Sequence, residues 1–286
     1  MISYAWCPIR VLPLVLAFFS ATFPTVQAGT LAQFRTVVGN FDVELFDQDK
    51  PETVKNFIRY VDSGAFTNFQ IIHRWVPGFV FQGGGVFVTN RGKTNEAFRF
   101  IPNYEAITNE YSVGPRYSNV YGTIAMARST GTNSATSQWF VNLGDNSALD
   151  ADKGGFTVFG RVIQGTNVLN KFSAPFTNNI YRLTLQSPLN ELPVNQHDVT
   201  NNLILFNSLL YVDITLLKVE VKQMTSGASE VSWNSVSNKL NIIEYTTNFP
   251  PVWNTLNSTN GDGSRFTVTD PGTAQGKAFY RVRVVP

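Results

Sequence analysis

Between residues 34 and 46 the chain reads FRTVVGNFDVELF, where Phe41, Val43 and Leu45 alternate with Asp42 and Glu44. A period of two is that of a strand with one buried face, and Gly39-Asn40 in front of it predicts a hairpin turn. The period changes at Pro51. Val54, Phe57, Ile58 and Val61 fall at i, i+3, i+4 and i+7, which predicts a helix opening on Pro51 and stopping at Gly64. Short apolar runs then recur between connections rich in Gly, Asn, Ser and Thr. Residues Phe69–His73, Phe79–Gln82, Gly122–Ala127, Gln138–Asn142 and Thr157–Val162 read as strands, and Thr166–Phe172 as a second, short helix. Many short strands with few helices predict a closed antiparallel barrel, so the fold class is all-β dominated.

The pattern weakens over residues 173–210. Pro175, Pro188, Pro193 and the polar run NELPVNQHDVTNN predict a long loop or insertion leading into a strand over Tyr211–Glu220. Composition shifts after Met224, where Thr225-Ser226-Gly227-Ala228-Ser229 reads as a turn or short linker. Beyond it Glu230–Trp233, Leu240–Thr246, Val252–Leu256, Arg265–Thr269 and Phe279–Val285 alternate between turn residues, the pattern of a small β-sandwich. The expected division is thus 29–223 for the barrel and 224–286 for the sandwich. Asn257-Ser258-Thr259 is a glycosylation sequon, a tripeptide common by chance.

Residues 1–28 have a different character. Arg10 closes a weakly basic start, Val11–Phe18 are apolar, and Val26-Gln27-Ala28 gives a small-x-small cleavage site. This is the arrangement of an export signal cut after Ala28. The uninterrupted apolar run is shorter than the roughly 20 residues a bilayer requires. The expected location is periplasmic or secreted, with no membrane span once the signal is cut. Cys7 leaves with the signal, so the mature chain carries no cysteine and needs no oxidative folding.

Composition removes several function classes. The 286 residues carry a formal charge of +2 and only 15% charged side chains, with no Lys/Arg run, which argues against nucleic acid as a partner. One cysteine and two histidines, His73 and His197, exclude a zinc finger, an iron–sulfur cluster and a His-rich metal centre. Asp150 and Asp152 lack a calcium-loop pattern and read as a turn. His73 invites a hydrolase triad with Ser137 and Asp150, but no G-x-S-x-G elbow is present, and His73 reads as a structural core residue. Gly83-Gly84-Gly85 lacks the Lys-Ser/Thr of a phosphate loop and reads as a tight strand exit.

The distinctive stretch is IIHRWVPGFVFQGGG, residues 71–85. Arg74 and Gln82 are polar groups in very apolar sequence, and burial of such groups is costly unless they are satisfied. They either bond loop backbone or hold a ligand in an apolar pocket. The chain resembles cyclophilin-type peptidyl-prolyl isomerases of the bacterial exported kind. VELFDQDKPETVKNF (43–57), HRWVPGFVFQGG (73–84), GTIAMAR (122–128), SQWFVNLGDNSALD (137–150) and FTVFGRVIQG (156–165) stand in family order. The likeness runs from Phe34 to Lys218, with 173–210 poorly matched.

The resemblance implies an eight-stranded antiparallel barrel capped by two helices, with the groove on its outer face. It implies a monomer that needs no cofactor and no metal, acting on proline-containing polypeptides. Arg74 matches the catalytic arginine. Phe79, Val80, Phe140 and Leu149 match the lining of the proline pocket, and Gln82 and Gln138 the polar groups beside it. Ala127 and Arg128 match the segment that pairs with the peptide backbone. Arg128 stands where many relatives have Asn, Val80 where Met is usual, and Phe156 where eukaryotic members have His. Ala148 replaces a Trp or Phe and is the largest departure. The C-terminal unit resembles a reduced fibronectin type III or immunoglobulin-like module, with Trp233 and Tyr280 at its core positions. The rival to the enzyme is a non-catalytic peptide-binding or surface-attachment protein on the same scaffold.

Overall fold

The computed structural model describes residues 30–67, 69–173, 180–196, 205–217, 219–235, 240–248, 251–262, 264–272 and 278–285. The export signal expected at 1–28, Pro175 and His197 lie outside these residues. Among the described residues, no helix is long and apolar enough to cross a membrane.

The first part of the chain forms β1 (Leu31–Thr36), β2 (Gly39–Leu45), α1 (Pro51–Asp62), β3 (Arg74–Val76), β4 (Val80–Gly83), β5 (Val86–Thr89) and β6 (Ala97–Phe100). It continues with β7 (Thr123–Met126), β8 (Trp139–Asn142), β9 (Val158–Gln164), α2 (Thr166–Ser173), β10 (Tyr181–Leu183), β11 (Leu192–Val194) and β12 (Val212–Leu217). Eight of the strands make one curled antiparallel sheet, in the order β12-β1-β2-β9-β7-β8-β4-β3. Main-chain hydrogen bonds draw its ends together: Ile72 N donates to Leu210 O at 2.9 Å and Val212 N to Gln70 O at 3.1 Å. The expected barrel and its two helices are therefore present.

Helix α1 begins on Pro51, as the sequence predicts, but Lys50 gives it no side-chain cap. The cap comes from far along the chain. The buried Glu110 carboxylate accepts from Glu52 N at 3.2 Å and Thr53 N at 2.7 Å, placing negative charge at the helix start. Its apolar face, with Val54 and Phe57, packs into an aromatic core in which Phe34 and Phe41 stack at 4.8 Å and Trp139 meets Phe34 edge-on at 5.1 Å. Gly83 and Gly84 are required here, because a Cβ on Gly83 would lie 2.4 Å from the Trp139 ring and one on Gly84 2.4 Å from Ser137 O.

The stretch expected to be a loop carries structure. β10 and β11 pair as a hairpin, and Leu183, Leu192 and Val194 form a second core with Ile71, Val86, Val88, Leu209 and Tyr211. The β5–β6 hairpin supplies Val86 and Val88 and was not legible as a hairpin in the sequence.

The remaining strands are β13 (Val219–Gln223), β14 (Ser229–Asn234), β15 (Leu240–Thr246), β16 (Asn254–Asn260), β17 (Arg265–Asp270) and β18 (Phe279–Val285). They form two three-stranded sheets, β13-β14-β17 and β16-β15-β18, around Val231, Trp233, Ile243 and Val282. β13 pairs with β14, so the strand expected over Tyr211–Glu220 is split between two sheets. The turn after Met224 closes this hairpin, with Met224 N donating to Ala228 O at 2.8 Å. It therefore lies inside the second unit. Leu31 and Leu217, cross-strand partners at the barrel's edge, pack into the sandwich core.

A chain ended after Leu217 retains every strand of the barrel sheet and uncovers Leu217. Exposing one buried leucine costs about 1.5–3 kcal/mol. Urea unfolding should therefore show a cooperative transition with stability lowered by an amount of that order. A truncated chain with no folded barrel by circular dichroism would show instead that the two units fold only together.

Candidate active site

The outer face of the sheet is built by register. Arg74 on β3 lies opposite Gln82 on β4, Gln82 opposite Phe140 on β8, Phe140 opposite Ala125 on β7, and Ala125 opposite Val158 on β9. Residues directly opposite one another in an antiparallel sheet project to the same side. One row thus runs from a guanidinium, through an amide, to an aromatic ring and two aliphatic side chains.

Val80, Ala125, Phe140 and Val158 are buried there, with Phe46, Phe79, Tyr117, Ala127, Leu149 and Phe156 packed around them. Antiparallel sheets usually present polar side chains on the face away from the core. Here that face is apolar too, and loops cover part of it. Phe79 sits in the β3–β4 turn, where Phe79 N donates to Val76 O at 3.0 Å and Gly78 adopts φ 70°. Leu149 lies on the 3-10 turn Ser147–Asp150, held where Asn146 Nδ2 donates to Phe79 O at 2.8 Å. Phe156 meets Phe140 edge-on at 5.8 Å.

The polar groups sit at the margin. Gln82 Nε2 donates to Gln138 Oε1 at 2.6 Å. The Arg74 guanidinium lies 5.8 Å from the Phe79 ring centre. Arg128 lies over Phe156 at 4.2 Å and donates to Asp152 O. An opening of about 350 Å³ adjoins them, lined by Gln82, Ala127, Arg128, Ser134 and Gln138 among others. The fold thus brings together Phe79, Val80, Ala127, Phe140, Leu149 and Phe156, with Arg74, Gln82, Gln138 and Arg128 beside them. Ala148 is exposed, next to Leu149 but outside the apolar cluster.

Sequence reasoning missed Glu191. Its carboxylate accepts from Arg74 Nε at 2.7 Å, and its main-chain O accepts from Trp75 N at 2.8 Å. The contact spans 117 residues, so no local pattern announces it. The remaining signal was that Glu191 is one of only two acids, with Asp198, in residues 173–210.

The hydrolase constellation does not assemble. Ser137 Oγ donates to Asn103 Oδ1 at 3.0 Å, and Asp150 accepts from Asn119 N at 3.0 Å and Asn119 Nδ2 at 2.8 Å, fixing a loop. Among the described residues no group of three or more His, Cys, Asp or Glu stands close enough to hold a metal ion. His73 is buried, and burial pushes its pKa down to about 4, opposed by a hydrogen bond with Gln138 and reinforced by the nearby Arg74 charge.

The fold and this row define a β-barrel protein with an apolar cluster on the outer face of its sheet and a largely polar opening beside it. A family model described as "Cyclophilin type peptidyl-prolyl cis-trans isomerase/CLD" matches residues 31–198. Peptidyl-prolyl cis-trans isomerase A of Dickeya dadantii is 40% identical over 169 residues, covering 58% of this chain and 83% of that protein. A peptidyl-prolyl cis-trans isomerase of Acinetobacter baylyi is 39% identical over 148 residues, covering 51% of this chain and 73% of its own. Peptidyl-prolyl cis-trans isomerase B of Escherichia coli is 36% identical over 152 residues, covering 51% and 86%. A solved Cryptosporidium parvum cyclophilin type peptidyl-prolyl cis-trans isomerase gives a TM-score of 0.43 at 20% identity, covering 65% of this chain and 96% of that one. The chain belongs to the cyclophilin-type peptidyl-prolyl cis-trans isomerase family.

His73 makes stability depend on pH. Its folded-state value of about 4 lies below the ordinary 6.5, so between these limits the unfolded chain binds a proton that the folded chain refuses. The contribution is complete above about pH 6.5 and falls as the pH drops toward 4, by up to ~3 kcal/mol. Urea unfolding at a series of pH values should show this slope, and His73→Gln should flatten it. An identical slope in the variant would contradict the assignment.

Proposed function

We propose that the groove holds the proline of an X-Pro segment and that Arg74 catalyses rotation about its imide bond. The observation that carries this is the row Arg74–Gln82–Phe140, which sets one permanent cation beside an apolar patch. Rotation must break amide resonance against a barrier of roughly 18–20 kcal/mol. No covalent bond breaks, so the work is differential stabilisation of the deconjugated nitrogen. Arg suits it because its charge cannot be lost. The Arg74 terminal amino groups have no partner among the described residues and remain able to donate to that nitrogen. Phe79, Val80, Phe140 and Leu149 hold the ring. Gln82 and Gln138 fix the polar margin, and Phe156 closes the far side. The N–H of Ala127 already donates to Gln138 O at 2.9 Å, so the main-chain pairing of the Ala127–Arg128 segment with the peptide uses its remaining N–H and C=O groups. A thousandfold acceleration requires about 4 kcal/mol in all.

The protein acts, in this reading, as an exported monomer that assists folding of other exported proteins. Residues 1–28 supply the signal. Residues after Lys218 form a reduced fibronectin type III-like module that serves as a spacer or binding unit. Its support is the six-stranded pair of sheets around the buried Trp233.

Arg74→Ala should lower kcat/KM in a protease-coupled assay on a Pro peptide by about 30- to 1000-fold, equivalent to ~2–4 kcal/mol, with far less effect on peptide affinity. A variant as fast as the wild type would remove Arg74 from the mechanism. A wild type that binds the peptide without accelerating exchange would favour the non-catalytic binder.

Ala148 stands exposed where the family's Trp contacts cyclosporin-type macrocycles, so these should inhibit weakly. An added indole at a rim should recover part of its buried area, worth about one to two decades in affinity. Ala148→Trp should tighten inhibition by that much and leave peptide turnover nearly unchanged. Nanomolar inhibition of the unmodified protein would refute the placement of Ala148.

A further inference from the structure

We infer that Glu191, on the β10–β11 hairpin, is a positioning residue for Arg74, which makes this hairpin part of the active site. The inference rests on the isomerase reading above, and it adds a residue outside the five motif blocks between 43 and 165 that carry the family resemblance.

An arginine side chain has several free torsions, and holding one rotamer toward a substrate carries an entropic cost. Here that cost is met before substrate arrives. Glu191 Oε2 accepts from Arg74 Nε at 2.7 Å, a charge-assisted bond that fixes the plane of the guanidinium. It engages Nε and leaves both terminal amino groups without a partner among the described residues, with the guanidinium 5.8 Å from the Phe79 ring centre. Arg74 and Glu191 keep 34% and 23% of their side-chain surface exposed, so water screens the pair and its value is orientation. Arg182 stands 3.8 Å from the other carboxylate oxygen, on the strand paired with β11, and steadies Glu191 from its far side.

The carboxylate is itself rigidly mounted. Glu191 O accepts from Trp75 N at 2.8 Å, so the residue next to Arg74 fastens the residue that holds Arg74. Leu192 follows at once and is completely buried among Leu183, Val194, Leu209 and Ile71. The second core therefore has a use: it carries one carboxylate to the back of the guanidinium. A surface ion pair formed by chance would not be fixed by a main-chain bond on one side and a buried leucine on the other.

The test has two readouts on the full-length protein. The first is the Arg74 Nε–H signal in 15N NMR, expected to be ordered and slow to exchange in the wild type and fast in Glu191→Ala. The second is kinetic. Glu191→Ala should lower kcat/KM about tenfold, with the loss in kcat and with peptide affinity changed less than twofold. Glu191→Gln, which keeps a neutral acceptor for Nε, should recover most of the rate. In an Arg74→Ala background Glu191→Ala should have no further effect, whereas damage to the fold would lower the residual rate and binding as well. An active wild type with an unimpaired Glu191→Ala, or additive losses in the double variant, would overturn the positioning role and leave the isomerase reading intact. An ordered Arg74 signal in a protein without isomerase activity would sink the isomerase reading and the catalytic consequence with it.

Discussion

Strands β4, β7, β8 and β9 must be apolar on both faces, and the site follows from that constraint. A strand's side chains alternate, so each adjacent pair divides between the interior and the groove. Phe81, Ile124, Trp139, Val141 and Phe159 enter the aromatic core, while Val80, Ala125, Phe140 and Val158 gather on the outer face. A slip of one residue in register would exchange the two sets and send Gln82 into the core. The glycines at 83 and 84 and the Trp139 ring that fills the space above them pin this register. The outer apolar cluster is therefore the reverse side of the packing that holds the barrel together.

This division explains what the sequence made legible. Alternation in residues 41–45 and the apolar stripe on α1 are local signals, and the structure follows them. Runs such as WFV at 139–141 show no alternation, because both faces are buried, and periodicity alone could not say which side was the groove. The ordered motif blocks supplied that information. Glu191 had no local signature, and neither did Glu110, which caps α1 from far away. Long-range pairing of one acid with one distant backbone or guanidinium leaves no trace in spacing. The turn after Met224 is a different case. A Ser/Gly-rich turn reads alike whether it joins two units or two strands, and here it joins β13 to β14.

The additions to the barrel differ in how they meet it. The β10–β11 hairpin contributes to a small core of its own and brings one carboxylate, Glu191, to Arg74. The C-terminal sheets meet the barrel through Leu31 and Leu217 at the edge formed by β1 and β12. The hairpin thus touches the row Arg74–Gln82–Phe140 through Glu191, and the C-terminal sheets touch the barrel through Leu31 and Leu217.

The most direct measurement of the central claim is where a bound proline ring sits. Intermolecular NOEs from the ring protons of a short X-Pro peptide to the unmodified protein should fall on Phe79, Phe140 and Leu149, with the Arg74 terminal amino signals shifting on titration. NOEs that placed the ring elsewhere, with the Arg74 signals unmoved, would contradict the account.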